Sequence, residues 1–172
     1  MINIFTDGST LNNGKPNATG GIGIYIPHMD YRLSLSYMLE TPTNQRCELY
    51  AILKALELYM NLHLEKEIDN EITIFTDSMY CINSLTKWLP NWKKLGWKTS
   101  SKEEIKNLWL IQQIDFLQSI YEKANVKINY QFIRAHTKEP AKTDKDYWIW
   151  EGNDVVDRLA KKGAINMKKF YK

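Results

Sequence analysis

Alternating apolar positions predict three strands in the N-terminal part of the chain. The first ends at Asp7, and a turn over residues 27–30 separates the other two. The alternating positions of these two are Ile22, Ile24 and Ile26, then Leu33, Leu35, Tyr37 and Leu39. From Thr43 the apolar period becomes helical, with Thr43 or Asn44 as the N-cap. An antiparallel meander followed by a helix is therefore expected.

Strands and helices alternate in the rest of the chain. Residues 72–76 and 126–132 predict two more strands. Between them we expect one helix over residues 78–89, stopped by Pro90, and a second helix that reaches about residue 123. The order βββαβααβα predicts a mixed sheet covered by helices, which is an α/β fold.

Two helix ends are predicted from capping residues. Ser101 and Glu104 form a capping box for the helix that reaches about residue 123. Asn153 is expected to cap the last helix, which ends near Gly163. The long segment from Thr137 to Gly152 is then irregular.

The tetrapeptide Ile-Phe-Thr-Asp occurs twice, at residues 4–7 and 74–77. In both copies an apolar pair leads to a carboxylate, as in a buried strand that delivers an acid to the edge of a sheet. Two such strands side by side bring like charges together, and a cation or a shared proton must offset their repulsion. The pair could be the start of a metal site, but taken alone it is explained slightly better by two unrelated strands with N-capping Asp residues.

Composition indicates one intracellular domain. The chain has 172 residues, of which 44% are hydrophobic and 25% charged, enough for a single core. Cys47 and Cys81 lack any CxxC or Cys/His neighbours, so we expect free buried thiols rather than a disulfide or a zinc site. Neither a leader nor an apolar run of the ~20 residues that span a membrane is evident. A soluble, cytoplasmic protein is expected.

Charge is unevenly distributed along the chain. The net charge of +3 is too small to imply a polyanionic partner. Residues 78–102, however, contain five lysines and no acid.

Four acids lie in a predicted strand or next to the predicted end of a strand or start of a helix: Asp7, Glu48, Asp77 and Asp157. Glu48 lies near the start of the first helix and Asp157 in the first turn of the last. Taken singly, both are explained by the helix macrodipole, which favours acids at helix N-termini.

Taken together, the four acids and their surroundings resemble type 1 ribonuclease H over nearly the whole chain. The matching segments are IFTDGS (4–9), GGIG (20–23), TNQRCELYA (43–51), FTDSMY (75–80), WLPNWKKLGWKTS (88–100), His136 and GNDVVDRLAKKGA (152–164). The resemblance implies a five-stranded ribonuclease H-like sheet, in which the first three predicted strands are antiparallel and the fourth and fifth lie parallel to the first. It also implies one catalytic domain over residues 1–172, with a basic protrusion at about 88–100.

The implied activity is endonucleolytic cleavage of the RNA strand in RNA/DNA hybrids, giving 5′-phosphate and 3′-hydroxyl ends. The four acids would hold two Mg²⁺ ions about 3.5–4 Å apart, for which Mn²⁺ can substitute. Crowded carboxylates bind metal only when deprotonated, so activity should fall at acid pH. A monomer is expected.

His136 and Asn153 gain roles from the same resemblance. A lone histidine after a strand is ordinarily a loop residue. Here the resemblance implies a mobile proton carrier or product-release aid near the attacking water. Asn153, besides capping, is implied to contact the phosphate near the cleavage site.

Recognition of RNA requires contact with the 2′-hydroxyl, which amide side chains can both donate to and accept from. The resemblance assigns ribose contacts to Asn13, Asn44 and Gln45, assisted by backbone near Thr10. Asn13 also belongs to an Asn-Asn-Gly turn.

Tryptophans and lysines interleave in the protrusion, as on a surface that stacks on sugars and neutralises phosphates. The residues are Trp88, Trp92, Trp97, Lys87, Lys93, Lys94 and Lys98. Trp92 is the one for which a core position is an open alternative. The resemblance adds Tyr80 and Trp88 as lining of the DNA channel, and Thr43 and Asn107 as holders of a DNA phosphate. Some relatives carry arginine at the position of Thr41, so a weaker phosphate pocket is expected.

The connection over residues 137–152 is longer than the shortest versions in the family, which indicates an insertion. Its second half, Tyr147 to Trp150, is too apolar to stay fully solvated. We favour docking of these aromatics on the protein over stacking of Trp148 or Trp150 on the substrate.

Other functions compete with this interpretation. Another nuclease of the superfamily, including a domain derived from a reverse transcriptase, would share the carboxylates. A non-catalytic hybrid-binding module would not need all four acids.

Overall fold

The structure is a computed structural model that describes residues 1–65 and 69–171. Its strands are β1 (Ile2–Leu11), β2 (Thr19–Ile26), β3 (Tyr31–Ser36), β4 (Glu71–Thr76) and β5 (Lys127–Phe132). Its helices are α1 (Asn44–Glu65), α2 (Met79–Ile82), α3 (Leu89–Lys94), α4 (Leu108–Lys123) and α5 (Tyr147–Lys168). Short 3₁₀ turns follow β2 and α5.

The five strands form one sheet in the order β3-β2-β1-β4-β5. β1 pairs antiparallel with β2, and β2 with β3, whereas β4 lies parallel to both β1 and β5. The predicted mixed α/β sheet is confirmed.

The two Ile-Phe-Thr-Asp segments lie side by side in register. Ile4 pairs with Ile74 and Phe5 with Phe75 along the parallel strands. The isoleucines enter the main core, to which α1 and α4 contribute. The phenylalanine rings stack at 4.7 Å on the opposite face and pack with Val156 of α5. Because side chains alternate between the two faces of a strand, the isoleucine and the phenylalanine of each tetrapeptide face different helical layers.

The backbone of helix α5 is in direct contact with the backbone of strand β2 where the two cross. A Cβ atom at Gly21 would lie 2.2 Å from the Ala164 nitrogen, so only glycine permits this approach. The GGIG segment thus serves helix packing, and it seats the helix that carries Asp157.

The prediction that the helix after β4 stops at Pro90 is wrong. α2 continues through a π-helical segment, Asn83–Trp88, into α3. Pro90 lies in the first turn of α3, where a missing N–H costs little. If α2, the π segment and α3 are counted as one bent helix, the order βββαβααβα is recovered.

The capping box predicted at Ser101 and Glu104 is wrong. α4 begins at Leu108, after Asn107 with a left-handed φ of 58°. Thr99 instead organises a turn here, since its hydroxyl accepts the Glu103 N–H at 3.0 Å. Strand β3 also ends earlier than the alternation suggested, at Ser36.

The last helix starts at Tyr147 and ends at Lys168, so Asn153 is an interior residue rather than its cap. Tertiary packing explains the early start: the Trp148 ring meets Phe5 and Phe75 edge-on, at 5.9 and 5.5 Å. Gly163 does not end the helix, because it packs against the Leu35 backbone. The irregular segment is therefore confined to residues 137–146.

Two further sequence-based expectations can be compared with the structure. Cys47 and Cys81 are free and buried, as predicted. Within residues 1–65 and 69–171, the helices are all too short or too polar to cross a membrane.

We predict that Trp148→Ala lowers the free energy of unfolding by about 1–3 kcal/mol, because a partly exposed ring loses two aromatic contacts. Denaturant titration measures this change. Affinity of the folded variant for nucleic acid should stay near that of the parent protein. A variant with unchanged stability and weaker nucleic-acid binding would instead place Trp148 on the substrate.

Candidate active site

Three carboxylates converge at the end of the central strands. Asp7 is part of β1, Glu48 is the fifth residue of α1, and Asp77 directly follows β4. One oxygen of each lies within 4.8 Å of the others. The register of β1 with β4 places the two aspartates, and helix α1 supplies the glutamate.

Gly8 allows α1 to come this close. A Cβ atom at Gly8 would lie 2.4 Å from both the Cys47 carbonyl carbon and the Glu48 nitrogen. A side chain here would therefore push α1 away and remove Glu48 from the two aspartates.

Burial makes the cluster electrostatically unfavourable when it is fully ionised. Asp7 and Glu48 are buried, with 4% and 8% of their surface exposed. Burial, reinforced by the charge of Asp77, raises the pKa of Asp7 to about 7. Burial, together with the charge of Asp7, holds the pKa of Glu48 well above its usual value, and burial also raises the pKa of Asp77.

Asp157 lies beside this cluster on α5. Its charge contributes to the raised pKa of both Asp7 and Asp77. One of its oxygens accepts a hydrogen bond from Lys161 Nζ at 2.7 Å. Asp157 is in the third turn of α5 and not, as predicted, in the first, so the macrodipole does not explain its position.

A cavity of about 210 Å³ adjoins the acids and is lined by Asp77, His136, Asn153 and Asp157, among others. His136 is exposed and has a left-handed φ of 52°. The structure thus brings the predicted histidine to the same opening as two of the predicted acids.

The donor set fits a divalent cation. Glu48 Oε2 is buried and, among the described residues, has no hydrogen-bond partner. A buried carboxyl oxygen without a partner requires compensation by a proton or a cation, and clustered carboxylates supply the hard oxygen ligands that Mg²⁺ and Mn²⁺ prefer.

The residues predicted to contact the nucleic acid form a groove beside the start of α1. Asn13, Thr43, Asn44, Gln45 and Asn107 line a groove of about 650 Å³, together with Gly14, Arg46 and Lys106. Asn13 Oδ1 accepts the Asn44 N–H at 3.4 Å, which links the β1–β2 loop to the helix. Thr10 is not part of this lining, and its hydroxyl lies 3.4 Å from Cys47 Sγ.

Thr43 is the cap of α1, since its hydroxyl accepts the Arg46 N–H at 3.1 Å. Arg46 Nη1 in turn donates to the Thr41 carbonyl at 2.6 Å, and its Nε lies 3.0 Å from a Glu40 oxygen. A guanidinium charge therefore lies next to the position where some relatives carry arginine.

Aromatic rings continue from the groove into the protrusion. Asn107 Nδ2 donates to the Tyr80 hydroxyl at 3.0 Å, and Tyr80 and Trp88 have ring centroids 6.4 Å apart. Trp88 contacts Trp92 at 5.8 Å. Trp92 and Trp97 are partly buried against the main core, so their packing is at least partly structural.

The lysines of the protrusion differ from one another. Lys93 Nζ lies 3.1 Å from both carboxylate oxygens of Asp115 on α4. Asp115 thus partly compensates the charge of Lys93, although all three lysines are exposed. The prediction had treated these three lysines as equivalent.

Three site residues were not singled out from the sequence, and a fourth, Trp150, was considered only as a ring that docks on the protein or stacks on the substrate. Arg46 lies inside the TNQR segment, which could have identified it, whereas no local pattern marks Lys106. Asp154 lines the cavity and pairs with Arg158. Trp150 also lines the cavity, and its indole N–H donates to the Thr137 carbonyl at 3.2 Å.

The sheet carries clustered acids beside a groove that is rich in amide and basic side chains. This combination is typical of metal-dependent nucleases. The family model for RNase H matches residues 1–165. The chain belongs to the ribonuclease H family, as predicted, and it is an enzyme of this class. Use of divalent metal ions is general in the family.

Two curated relatives are 38% identical to the chain. Ribonuclease HI of Haemophilus influenzae aligns over 166 residues, 96% of this chain and 91% of its own length. A ribonuclease H of Schizosaccharomyces pombe aligns over 162 residues, 94% of this chain. The chain spans about half of that relative, 52% of its length.

Solved structures agree with the fold. The RNase H domain of prototype foamy virus superposes with a TM-score of 0.70 at 25% identity, covering 95% of this chain and 94% of that domain. LC11-RNase H1 in complex with an RNA/DNA hybrid has a TM-score of 0.60 at 17% identity, covering 96% of this chain and 98% of its own.

We predict opposite pH dependences for the metal-free and the metal-loaded protein. The pKa of Asp7 rises from 3.8 to about 7 on folding, so the folded state binds the extra proton. Its contribution to stability is complete below pH 3.8 and is lost as pH rises through about 7. Mg²⁺ binds the deprotonated cluster, so its stabilising effect should grow over the same range.

Thermal unfolding with Mg²⁺ or EDTA at pH 6 and pH 8 measures both effects. The gain in Tm from Mg²⁺ should be larger at pH 8, at about 2–4 °C per kcal/mol for a chain of this size. Asp7→Asn should raise the Tm in EDTA at pH 8 and reduce the gain from Mg²⁺. An equal gain at both pH values would contradict the assignment.

Proposed function

We propose that the protein is an endonuclease that hydrolyses the RNA strand of RNA/DNA hybrids with two Mg²⁺ ions, leaving 5′-phosphate and 3′-hydroxyl ends. The observation that carries the proposal is the convergence of three carboxylates within 4.8 Å, one with a buried oxygen that lacks a partner among the described residues. Mn²⁺ would substitute for Mg²⁺.

Asp7, Glu48, Asp77 and Asp157 would hold the ions. Bound metal would activate the attacking water and offset the negative charge that develops during hydrolysis. Lys161 Nζ donates to Asp157, and a bound cation would compete for the same oxygen. Glu48 is fixed in the core by α1, so it provides the rigid side of the site.

His136 would act at the mouth of the cavity. An imidazole nitrogen there can accept the proton from the attacking water, and it can exchange that proton with solvent because the side chain is exposed. Asn153, in the same cavity, would orient the phosphate next to the cleaved bond.

The groove would distinguish the two strands of the hybrid. Amides of Asn13, Asn44 and Gln45 contact ribose 2′-hydroxyls on the RNA strand, assisted by backbone near Thr10. Thr43 and Asn107 hold a phosphate of the DNA strand. The Arg46 guanidinium, which pairs with Glu40, lies next to Thr41, the position where some relatives carry arginine.

The protrusion would grip the DNA strand. Tyr80, Trp88, Trp92 and Trp97 face deoxyribose or support the rings that do, and Lys94 and Lys98 neutralise phosphates, with Lys93 contributing less. We further propose one catalytic domain over residues 1–172, with residues 137–152 as an insertion, acting as a cytoplasmic monomer.

Cleavage assays with four labelled substrates test the proposal: RNA/DNA, RNA/RNA, DNA/DNA and single-stranded RNA, each with Mg²⁺, Mn²⁺ or EDTA. Only RNA/DNA should be cut, and only with metal. Asp77→Asn should reduce cleavage by roughly 10³-fold or more with hybrid binding retained, because a metal ligand worth several kcal/mol in the transition state is lost.

Hybrid binding without cleavage in any metal would identify a binding module instead. Cleavage of DNA/DNA at a similar rate would favour another nuclease of this fold. Near-parental turnover by Asp77→Asn would rule out its role as a metal ligand.

Single lysine substitutions test the protrusion. Lys94→Ala and Lys98→Ala should each reduce the slope of log K against log salt by about one, because each removes one phosphate contact. Lys93→Ala is the matched control, with a smaller effect on the slope because Lys93 already pairs with Asp115. Equal effects of all three would show that the Lys93–Asp115 pair opens on binding.

A further inference from the structure

The loop that carries His136 is fastened to the first turn of α5 at two points. The Trp150 indole N–H donates to the Thr137 carbonyl at 3.2 Å, and the Tyr147 hydroxyl donates to Glu139 Oε1 at 3.0 Å. The Tyr147 and Trp150 rings also contact each other, with centroids 5.7 Å apart. Both fastenings fall within three residues after His136.

The backbone of His136 needs such support. A φ of 52° is left-handed, and a residue with a Cβ atom keeps this conformation only where its surroundings fix it. The Thr137 carbonyl belongs to the residue immediately after His136. Holding this carbonyl restricts the rotation by which His136 would relax to an ordinary conformation.

The other end of the fastening is rigid. Trp148, two residues before Trp150, packs on Phe5 and Phe75. Gly152, two residues after it, lies so close to Phe5 that a Cβ atom would be 2.4 Å from the ring. Trp150 is thus part of a helical segment seated on the same two strands that deliver Asp7 and Asp77.

Trp150 also lines the cavity that His136 shares with Asp77 and Asp157. It is therefore placed between the rigid acid-bearing elements and the loop. Its ring faces the opening, while its N–H faces the loop backbone.

We infer that Trp150 is a positioning residue for His136: its indole N–H holds the Thr137 carbonyl and so fixes the imidazole relative to the acids. Tyr147 provides the second fastening through Glu139. The inference rests on the proposed function, because it assigns His136 a part in turnover.

A double-mutant cycle tests it. Trp150→Phe keeps an aromatic ring and removes the donor, and it should lower kcat roughly 2- to 10-fold with KM little changed, the equivalent of one net hydrogen bond. In a His136→Ala background, Trp150→Phe should have no further effect on kcat. Trp148→Phe is the matched control. It removes an indole two residues before Trp150 and should show no coupling to His136.

Limited proteolysis reports on the loop independently of activity. Trypsin can cleave after Lys138, Lys142 and Lys145, all within the loop. Trp150→Phe should increase cleavage there severalfold, whereas Trp148→Phe should not do so selectively.

Coupling between Trp150 and His136, together with faster loop cleavage, supports the inference. Equal loss of kcat from Trp150→Phe with and without His136 would overturn it, since the effect would then be structural. Faster loop cleavage with unchanged kcat would also overturn it. If His136→Ala itself leaves turnover unchanged, the proposed role of His136 fails, and the positioning inference fails with it.

Discussion

Mutual repulsion of three clustered carboxylates, two of them buried, is the constraint on which this structure depends. Asp7, Glu48 and Asp77 lie within 4.8 Å of one another, and burial together with neighbouring charge raises the pKa of each. Such an arrangement persists only because the surrounding packing is strong: parallel pairing of β1 with β4 fixes the aspartates, and Gly8 admits α1 with its glutamate. The fold thus maintains a cluster that a divalent cation would relieve of its mutual repulsion.

The second helical layer contributes differently. α5 is held on the sheet by glycine contacts at Gly21 and by the aromatic cluster around Phe5 and Phe75. It brings Asp157 to the cluster from the face opposite to α1. Asp157 is less buried than Glu48 and pairs with Lys161, so it can exchange that partner for another cation.

Long-range features of this chain were predictable where the sequence repeats or alternates. The two Ile-Phe-Thr-Asp segments predicted neighbouring strands with convergent acids, and the structure places them in register. Local capping rules failed where tertiary contacts outweighed them. Asn is a residue type that favours N-caps, yet Asn153 is not the cap of α5. Packing of Trp148 on Phe5 makes the helix begin about one and a half turns earlier. Likewise the pairing of Lys93 with Asp115 joins residues that are distant in sequence, and composition alone does not reveal it.

One helix carries both a residue proposed to contact the RNA strand and a proposed metal ligand. Asn44, at the groove, and Glu48, at the acid cluster, are four residues apart on α1, hence on the same face and about 6 Å apart along the axis. The helix is anchored in the core and capped by Thr43, so this spacing does not change. A sugar without a 2′-hydroxyl would leave the groove amides without a partner, and its strand would not be drawn to the depth that the metal-binding acids require. Selectivity for RNA would then follow from the rigidity of α1, with no moving part between the groove and the cleaved bond.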